Sequence, residues 1–380
     1  MHVSLFKLAF ITAVLLAGTS ALAQDGLTVR IGIAAPTSGP AAHLGADNVN
    51  GASLAIDELN AASLKIGGKA VHFELRAEDD MADPKQATLV AQKFCDQHVN
   101  GVVGHITSGA TMPAAKIYND CGIPHISPTA TNPKLTELGY KTTFRLIASD
   151  NSTGVALAKY IQSALKLNKV AIIDDRTAYG QGLSGVFRKT AKQNGLQIVD
   201  EQYTSDKAID FSAILTAIKS KGAEVIFFAG MDAQAGPMLR QMTNLGMSSV
   251  KFLGGDGICA EKLAELAGGV ANVANVICAS GGQPIEAMPK GPALKVRYDA
   301  KFPKVYQGNA PYGYEAVMAL AEAMKVAGSA DPKVYAPAMF KIDYAGTIGR
   351  VSFDASGDIK NPGLTVAHFP NGKLTPITIK

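Results

Sequence analysis

Residues 101–133, GVVGHITSGATMPAAKIYNDCGIPHISPTATNP, decide how the rest of the chain is read. Val102 and Val103 form a short apolar run that leads into His105-Ile106-Thr107-Ser108-Gly109. A helix is expected over residues 111–119, and a second strand-like run then ends in Ser127-Pro128-Thr129-Ala130-Thr131. This succession places both loops at one edge of a parallel sheet. Each loop opens a helix and sets Ser or Thr where capping residues belong. Free N–H groups at a helix start, together with hydroxyls, suit a carboxylate. Either loop alone reads equally well as an ordinary cap, whereas two in succession point to a ligand.

The same unit extends outward in both directions. Ahead of it lie a strand at 29–35, the turn-rich Pro36-Thr37-Ser38-Gly39-Pro40, a helix at about 45–60 and a strand at 71–77. The acidic Glu78-Asp79-Asp80 lacks the alternating ligands and glycine of a calcium loop and reads as a solvated cap. Asp83-Pro84 starts the next helix as cap and first residue, and Asn132-Pro133 repeats the device.

After Phe144-Arg145-Leu146 the pattern begins again. A helix at 153–165, a strand at 169–174, a loop at 175–179 and a helix at 180–194 precede strands at 196–202 and 225–230. Met231-Asp232-Ala233 then stands where Ile106-Thr107-Ser108 stood. A strand at 251–254 carries Gly255-Asp256-Gly257 in its loop, and after Val276-Ile277 the chain returns to the first half. A last crossing near 351–354 leaves a hairpin-like pair over 364–379. The expected fold is α/β, with two doubly wound, Rossmann-like lobes joined by a three-segment hinge. Lobe 1 takes 26–147 plus 282–352, and lobe 2 takes 148–281 plus 353–380. Lobes hinged in this way close on small solutes.

The first residues stand apart from the fold. Lys7, the apolar run 8–17 and Ala21-Leu22-Ala23 follow the order of a secretory signal, which predicts cleavage after Ala23 and a signal peptide over 1–23. No cysteine follows the cut, which argues against a lipid anchor, and no later apolar run approaches the roughly 20 residues of a membrane span. A secreted, soluble, periplasmic monomer is expected. The net charge of +4 is not clustered, and 7% aromatics without Trp give no support to nucleic-acid binding. The four cysteines suggest two disulfides in an oxidising compartment. Three pairings are possible, and Cys95 with Cys121 and Cys259 with Cys278 each close a short segment between neighbouring elements. None lies in a CxxC pair, so no metal is expected.

Catalytic and cofactor patterns are thin. Gly180-Gln181-Gly182-Leu183-Ser184-Gly185 fits GxGxxG, with Asp200 or Glu201 following, but residues 176–179 separate it from its strand. Glycine-eased packing explains it better, and no cofactor is expected. Ser108 near His105 invites a hydrolase reading, yet no GxSxG elbow surrounds it and no acid at catalytic spacing is indicated. What remains fits a zwitterion. Ser108, Thr129 and Thr131 can receive a carboxylate, Asp256 can pair with an ammonium, and Tyr179 and Tyr312 can cover the ligand from opposing lobes. Asp232 is a further acid at the edge of lobe 2, and Asp256 reads equally as a turn residue.

At these residues the chain resembles the periplasmic binding proteins for leucine, isoleucine and valine, type I solute-binding components of ABC transporters. The resemblance runs through Thr37-Ser38-Gly39-Pro40, Asp79-Asp80 with Asp83-Pro84, Gly104-His105, Pro128-Thr129-Ala130-Thr131, Tyr179-Gly180, Leu239-Arg240-Gln241 and residues 254–257. It implies the type I periplasmic binding protein fold and capture of an amino acid for a membrane permease, without catalysis. It implies that Ser108, Thr129 and Thr131 hold the α-carboxylate and α-amino group, that Tyr179 lies over the ligand and that Asp256 binds the amino group. Ala130, Ile106 and Leu44 are further candidate contacts. Leu44 and Met231 stand where an aromatic occurs in relatives, and Asp256 where some have Glu. The side-chain class therefore stays open between branched-chain, other neutral and aromatic amino acids or amide-like compounds, with a secreted NAD-dependent enzyme or hydrolase as the rival class.

Overall fold

The structure is a computed structural model that describes residues 26–377. The signal segment expected at 1–23 lies outside the described residues.

The first half runs β1 (Leu27–Ala35), α1 (Ala42–Ala61), β2 (Lys65–Ile66), β3 (Lys69–Asp79), α2 (Pro84–Asp96), β4 (Gly101–Val103), α3 (Ser108–Cys121), β5 (His125–Ser127), α4 (Lys134–Glu137) and β6 (Thr143–Arg145). The second runs α5 (Asp150–Tyr160), β7 (Lys169–Asp174), α6 (Ala178–Gln193), β8 (Gln197–Tyr203), α7 (Ser212–Ser220), β9 (Val225–Ala229), α8 (Asp232–Asn244), β10 (Lys251–Gly254), α9 (Leu263–Leu266) and β11 (Val276–Gly281). The chain then supplies α10 (Gly291–Lys301), α11 (Ala310–Ala327), α12 (Pro332–Met339) and the small pair β12 (Tyr344–Ala345) and β13 (Arg350–Val351). It ends with β14 (Leu364–His368) and β15 (Thr375–Pro376).

Two sheets result. One has the order β2-β3-β1-β4-β5-β6 and the other β15-β14-β11-β10-β9-β7-β8. The repeat seen in the sequence is the repeat of strand order, since β3-β1-β4-β5 in one sheet corresponds to β8-β7-β9-β10 in the other. All of these pairings are parallel. The order reverses beside β1 and beside β7, so each sheet opens a crevice at its strands' carboxyl ends. Residues 225–229, VIFFA, are buried throughout, as a parallel strand covered on both faces requires. In the first lobe α1 and α11 approach closely. A Cβ at Gly51 would lie 2.1 Å from the Ala310 carbonyl oxygen, and one at Gly313 would lie 2.4 Å from that of Asn48.

Both expected cysteine pairs are bonded. Cys95–Cys121 ties the last turn of α2 to that of α3, and Cys259–Cys278 ties the turn after β10 to β11.

Three helices start earlier than their sequence patterns suggest. Thr107, Ser149 and Thr177 take the extended backbone of an N-cap, so α3 begins at Ser108, α5 at Asp150 and α6 at Ala178. Ser108, Asp150 and Tyr179 thereby stand in first helical turns rather than in loops. The acidic run also differs from expectation. Asp83 caps α2 by accepting from the N–H groups of Lys85 and Gln86, but Asp80 is buried rather than solvated.

Candidate functional site

The carboxyl ends of the two sheets face one cavity of about 210 Å³. Leu44, Ile106, Ser108 and Thr129 come from the first lobe, and Tyr179, Met231 and Asp256 from the second. Ile147 and Gly281, at the crossings between lobes, and Tyr312 complete the inner wall.

The first-lobe loop is held rigidly. His105 is fully buried, with Nδ1 2.7 Å from Asp80 Oδ2 and Nε2 3.1 Å from the Tyr118 hydroxyl. Its carbonyl accepts from Ser127 Oγ at 2.6 Å and from Thr111 Oγ1 at 2.9 Å. Thr129 Oγ1 donates to the Ile106 carbonyl at 2.8 Å, stitching the second loop to the first. An acid therefore does partner His105, although the sequence spacing did not indicate one. With both ring nitrogens engaged away from Ser108, the imidazole is structural and Ser108 has no activating base.

Ser108 Oγ accepts from the Asn132 N–H at 3.2 Å, which leaves the serine's own proton to donate. The N–H groups of Ser108 and Gly109 open α3 and have no helical acceptor. Together they offer donors and the positive end of a helix dipole to an anion. The Thr129 hydroxyl is spent on Ile106, so that residue's contribution to a ligand falls to its backbone.

The opposite wall is acidic. Tyr179 donates its hydroxyl proton to Asp256 Oδ1 at 3.0 Å and accepts from the Gly257 N–H at 3.1 Å. Burial pushes the Asp256 carboxyl up to about 6, with the Tyr179 hydrogen bond opposing. Asp150, the first residue of α5, has both carboxyl oxygens shut off from solvent without a partner. Its pKa is raised well above the usual carboxylate range by burial and then by Asp256. Two desolvated carboxylates that sense each other are costly to ionise, and a cation in the cavity beside Asp256 lowers that cost. Sequence reading missed Asp150, because an aspartate near a helix start looks like any first-turn acid.

Other candidates stand off the cavity. Ala130 packs with Ala115 and Leu135, and Thr131 is buried behind the wall with its Oγ1 unpartnered. Asp232 reaches across the cleft instead, with Oδ2 2.8 Å from His43 Nε2. The GxGxxG run lies on α6. A Cβ at Gly180 would sit 2.6 Å from the Ala229 carbonyl oxygen, and one at Gly182 would sit 2.6 Å from Asn132 Nδ2. These glycines let the helix close on β9 and on the first lobe.

A crevice between two doubly wound sheets, with donors on one wall and carboxylates on the other, defines a two-lobed binder of small solutes. The chain belongs to the periplasmic binding protein family, whose model matches residues 28–373. It is 37% identical over 374 residues to a Leu/Ile/Val-binding protein homolog of Brucella abortus, covering 98% of this chain and 97% of that one. It is 32% identical over 360 residues to the leucine-, isoleucine-, valine-, threonine- and alanine-binding protein of Pseudomonas aeruginosa, covering 93% of each. The branched-chain amino acid transporter substrate-binding protein LivJ of Streptococcus pneumoniae, solved with isoleucine, superposes with a TM-score of 0.83 at 29% identity. That match covers 91% of this chain and 97% of LivJ. No helix among the described residues is long and apolar enough to cross a membrane.

Proposed function

We propose that this protein captures an α-amino acid between its closing lobes in the periplasm and delivers it to the membrane permease of an ABC transporter. The observation that carries this reading is the polarity of the cavity. The start of α3 with Ser108 faces an anion, while Asp256 on the opposite wall faces a cation, with buried Asp150 near enough to couple to it. The branched-chain amino acids named for its relatives have this pair of charges. In this reading the α-carboxylate lies on the Ser108 side and the α-ammonium lies against Asp256, with Tyr179 and Tyr312 over the ligand. Residues 1–23 serve as the cleaved signal, and the mature chain works as a monomer without catalysis. Micromolar binding corresponds to about 8 kcal/mol. Hydrogen bonds to charged groups contribute roughly 1.5–3 kcal/mol each, so a few suffice and release stays fast enough for transport.

A thermal-shift panel tests the reading. α-Amino acids raise the melting temperature, because a ligand that binds only the folded state stabilises it. Their amides and their deaminated acids do not. A panel in which simple carboxylic acids or amides shift the protein as much as amino acids would sink the zwitterion site.

A further inference from the structure

Asn132 joins the two walls of the site without lining the cavity itself. Its own N–H donates to Ser108 Oγ at 3.2 Å, which leaves the serine's proton for a ligand. Its side-chain Nδ2 crosses to the second lobe and donates to the Ala178 carbonyl at 2.5 Å. Ala178 opens α6 and directly precedes Tyr179, whose hydroxyl donates to Asp256. One buried residue thus stands between the donor side of the site and its carboxylate side.

Asn132 is fixed from the first lobe. Its Oδ1 accepts from the Lys134 N–H at 2.9 Å, and its carbonyl accepts from Arg145 Nη1 at 2.8 Å. Arg145 is itself fully buried, with Nε 2.8 Å from Asp358 Oδ1 on the segment after the last crossing and Nη2 3.1 Å from Thr136 Oγ1. The Asn132 amide therefore swings aside only by giving up hydrogen bonds in both lobes. The helix α6 meets it with a glycine. A Cβ at Gly182 would lie 2.6 Å from Asn132 Nδ2, 2.9 Å from its Cγ and 3.4 Å from its Oδ1, so a methyl there displaces the amide. A Cβ at Gly185, one turn further along the same helix, would enter open space.

We propose that Asn132 is a positioning residue for capture: it holds Ser108 from the first lobe and, as the lobes close, seats the first turn of α6, so that Tyr179 and Asp256 reach the ligand together with Ser108. This rests on the amino-acid reading above and deepens it. The contact belongs to the closed form, because opening carries Ala178 and Gly182 away from Asn132. A methyl at position 182 then acts on closure and not on the helix, in which alanine is the better former.

The test compares two equal substitutions in one helix. The standard L-amino acids are screened by thermal shift against the mature wild-type protein, and the one with the largest shift is the probe. Gly182→Ala is expected to weaken its binding about tenfold, chiefly through faster dissociation. Gly185→Ala is expected to keep wild-type affinity within about twofold, and without ligand both variants should melt at or above the wild-type temperature. Asn132→Ala is expected to weaken binding about tenfold. Adding Gly182→Ala to it costs less than about twofold more, because the three atoms that the methyl would meet are gone. A Gly182→Ala protein that binds as tightly as Gly185→Ala overturns the inference and leaves the amino-acid site standing. So does one that melts lower without ligand, since the contact would then serve the fold in open and closed forms alike, and so does a double variant whose losses add. A wild-type protein that none of the amino acids shifts overturns both readings. The glycine pair decides the matter even if Asn132→Ala fails to fold.

Discussion

The lining of the cavity is built from two different kinds of chain. In the first kind, Ser108 and Tyr179 lie in the first turns of α3 and α6, and Asp256 follows β10 directly, with buried Asp150 opening α5 behind the lining. Each is placed by a strand end or a helix start of the repeated framework. In the second, Gly281 and Gly282 lie at a crossing, Glu286 follows soon after it, and Gln307 lies in the irregular segment before α11. A regular scaffold fixes the groups proposed to take the two charged ends of the ligand. Irregular segments, which vary most freely, supply the rest of the lining.

The first two predictions break this comparison at its well-ordered end. Asp256→Ala removes the second-lobe carboxylate and the acceptor that orients Tyr179, and is expected to weaken ligand binding about a hundredfold. Ser108→Ala removes one hydroxyl donor but leaves the N–H groups of α3, so about tenfold is expected. Titration calorimetry with the best ligand reads both. Affinity unchanged in both variants would remove the site, and a larger loss at Ser108 would move the dominant grip to the anion side.

Much of the regular end is legible in the sequence, for a physical reason. Apolar runs and helix starts are local signals, and their order repeated, so two matching sheets and a facing crevice followed from 101–133 and its counterpart. The cysteine pairing was legible because both pairs close short segments. Asp150 was not, because its importance lies in having no partner, and no local pattern shows that. Asp80 was misread as solvated for the converse reason, since its partner His105 comes 25 residues later. Gln307 and Glu286 belong to segments without periodicity, so only the folded chain shows that they line the cavity.

The aspartate pair also predicts a dependence on pH with opposite signs in the empty and the occupied protein. With its carboxyl pushed up to about 6 by burial, Asp256 holds a proton more tightly when folded than when unfolded. In the empty protein its contribution to stability is therefore full below the ordinary value of 3.8 and lost as pH rises toward about 6. Asp150 acts in the same direction, and the two titrate as a pair. An ammonium ligand favours the ionised pair, so affinity rises over the same interval, several-fold up to a plateau above about pH 6. Asp175, also raised to about 6 by burial, adds to the slope of the empty protein but does not line the cavity. The diagnostic quantity is thus the ligand-induced part of the melting temperature between pH 4 and 7.5. Asp256→Asn should flatten it, and a ligand-induced shift that shrinks as pH rises would contradict the pair's role.

The smallest expected effect tests closure rather than contact. His43 on α1 and Asp232 at the start of α8 form the one ion pair among the described residues that joins the two lobes outside the hinge, at 2.8 Å. Leu44 and Ile106 of the first lobe meet Met231 and Ala260 of the second in the same region, so the structure is in a closed form. The Asp232 side chain is buried there, and its Oδ1 has no partner. Removing His43 would strand that carboxylate in the closed form, while opening the lobes would return it to water. The penalty therefore falls on closure, and His43→Ala is expected to weaken binding only a few-fold, about 1 kcal/mol, chiefly through faster dissociation. His43→Gln keeps a donor at similar reach and should recover part of the loss. Stopped-flow dissociation separates this from a contact effect, because the ranking of ligands should stay the same while every off-rate increases. A changed ranking would place His43 in the ligand's own contacts, and unchanged off-rates would show that the pair forms without favouring the closed lobes.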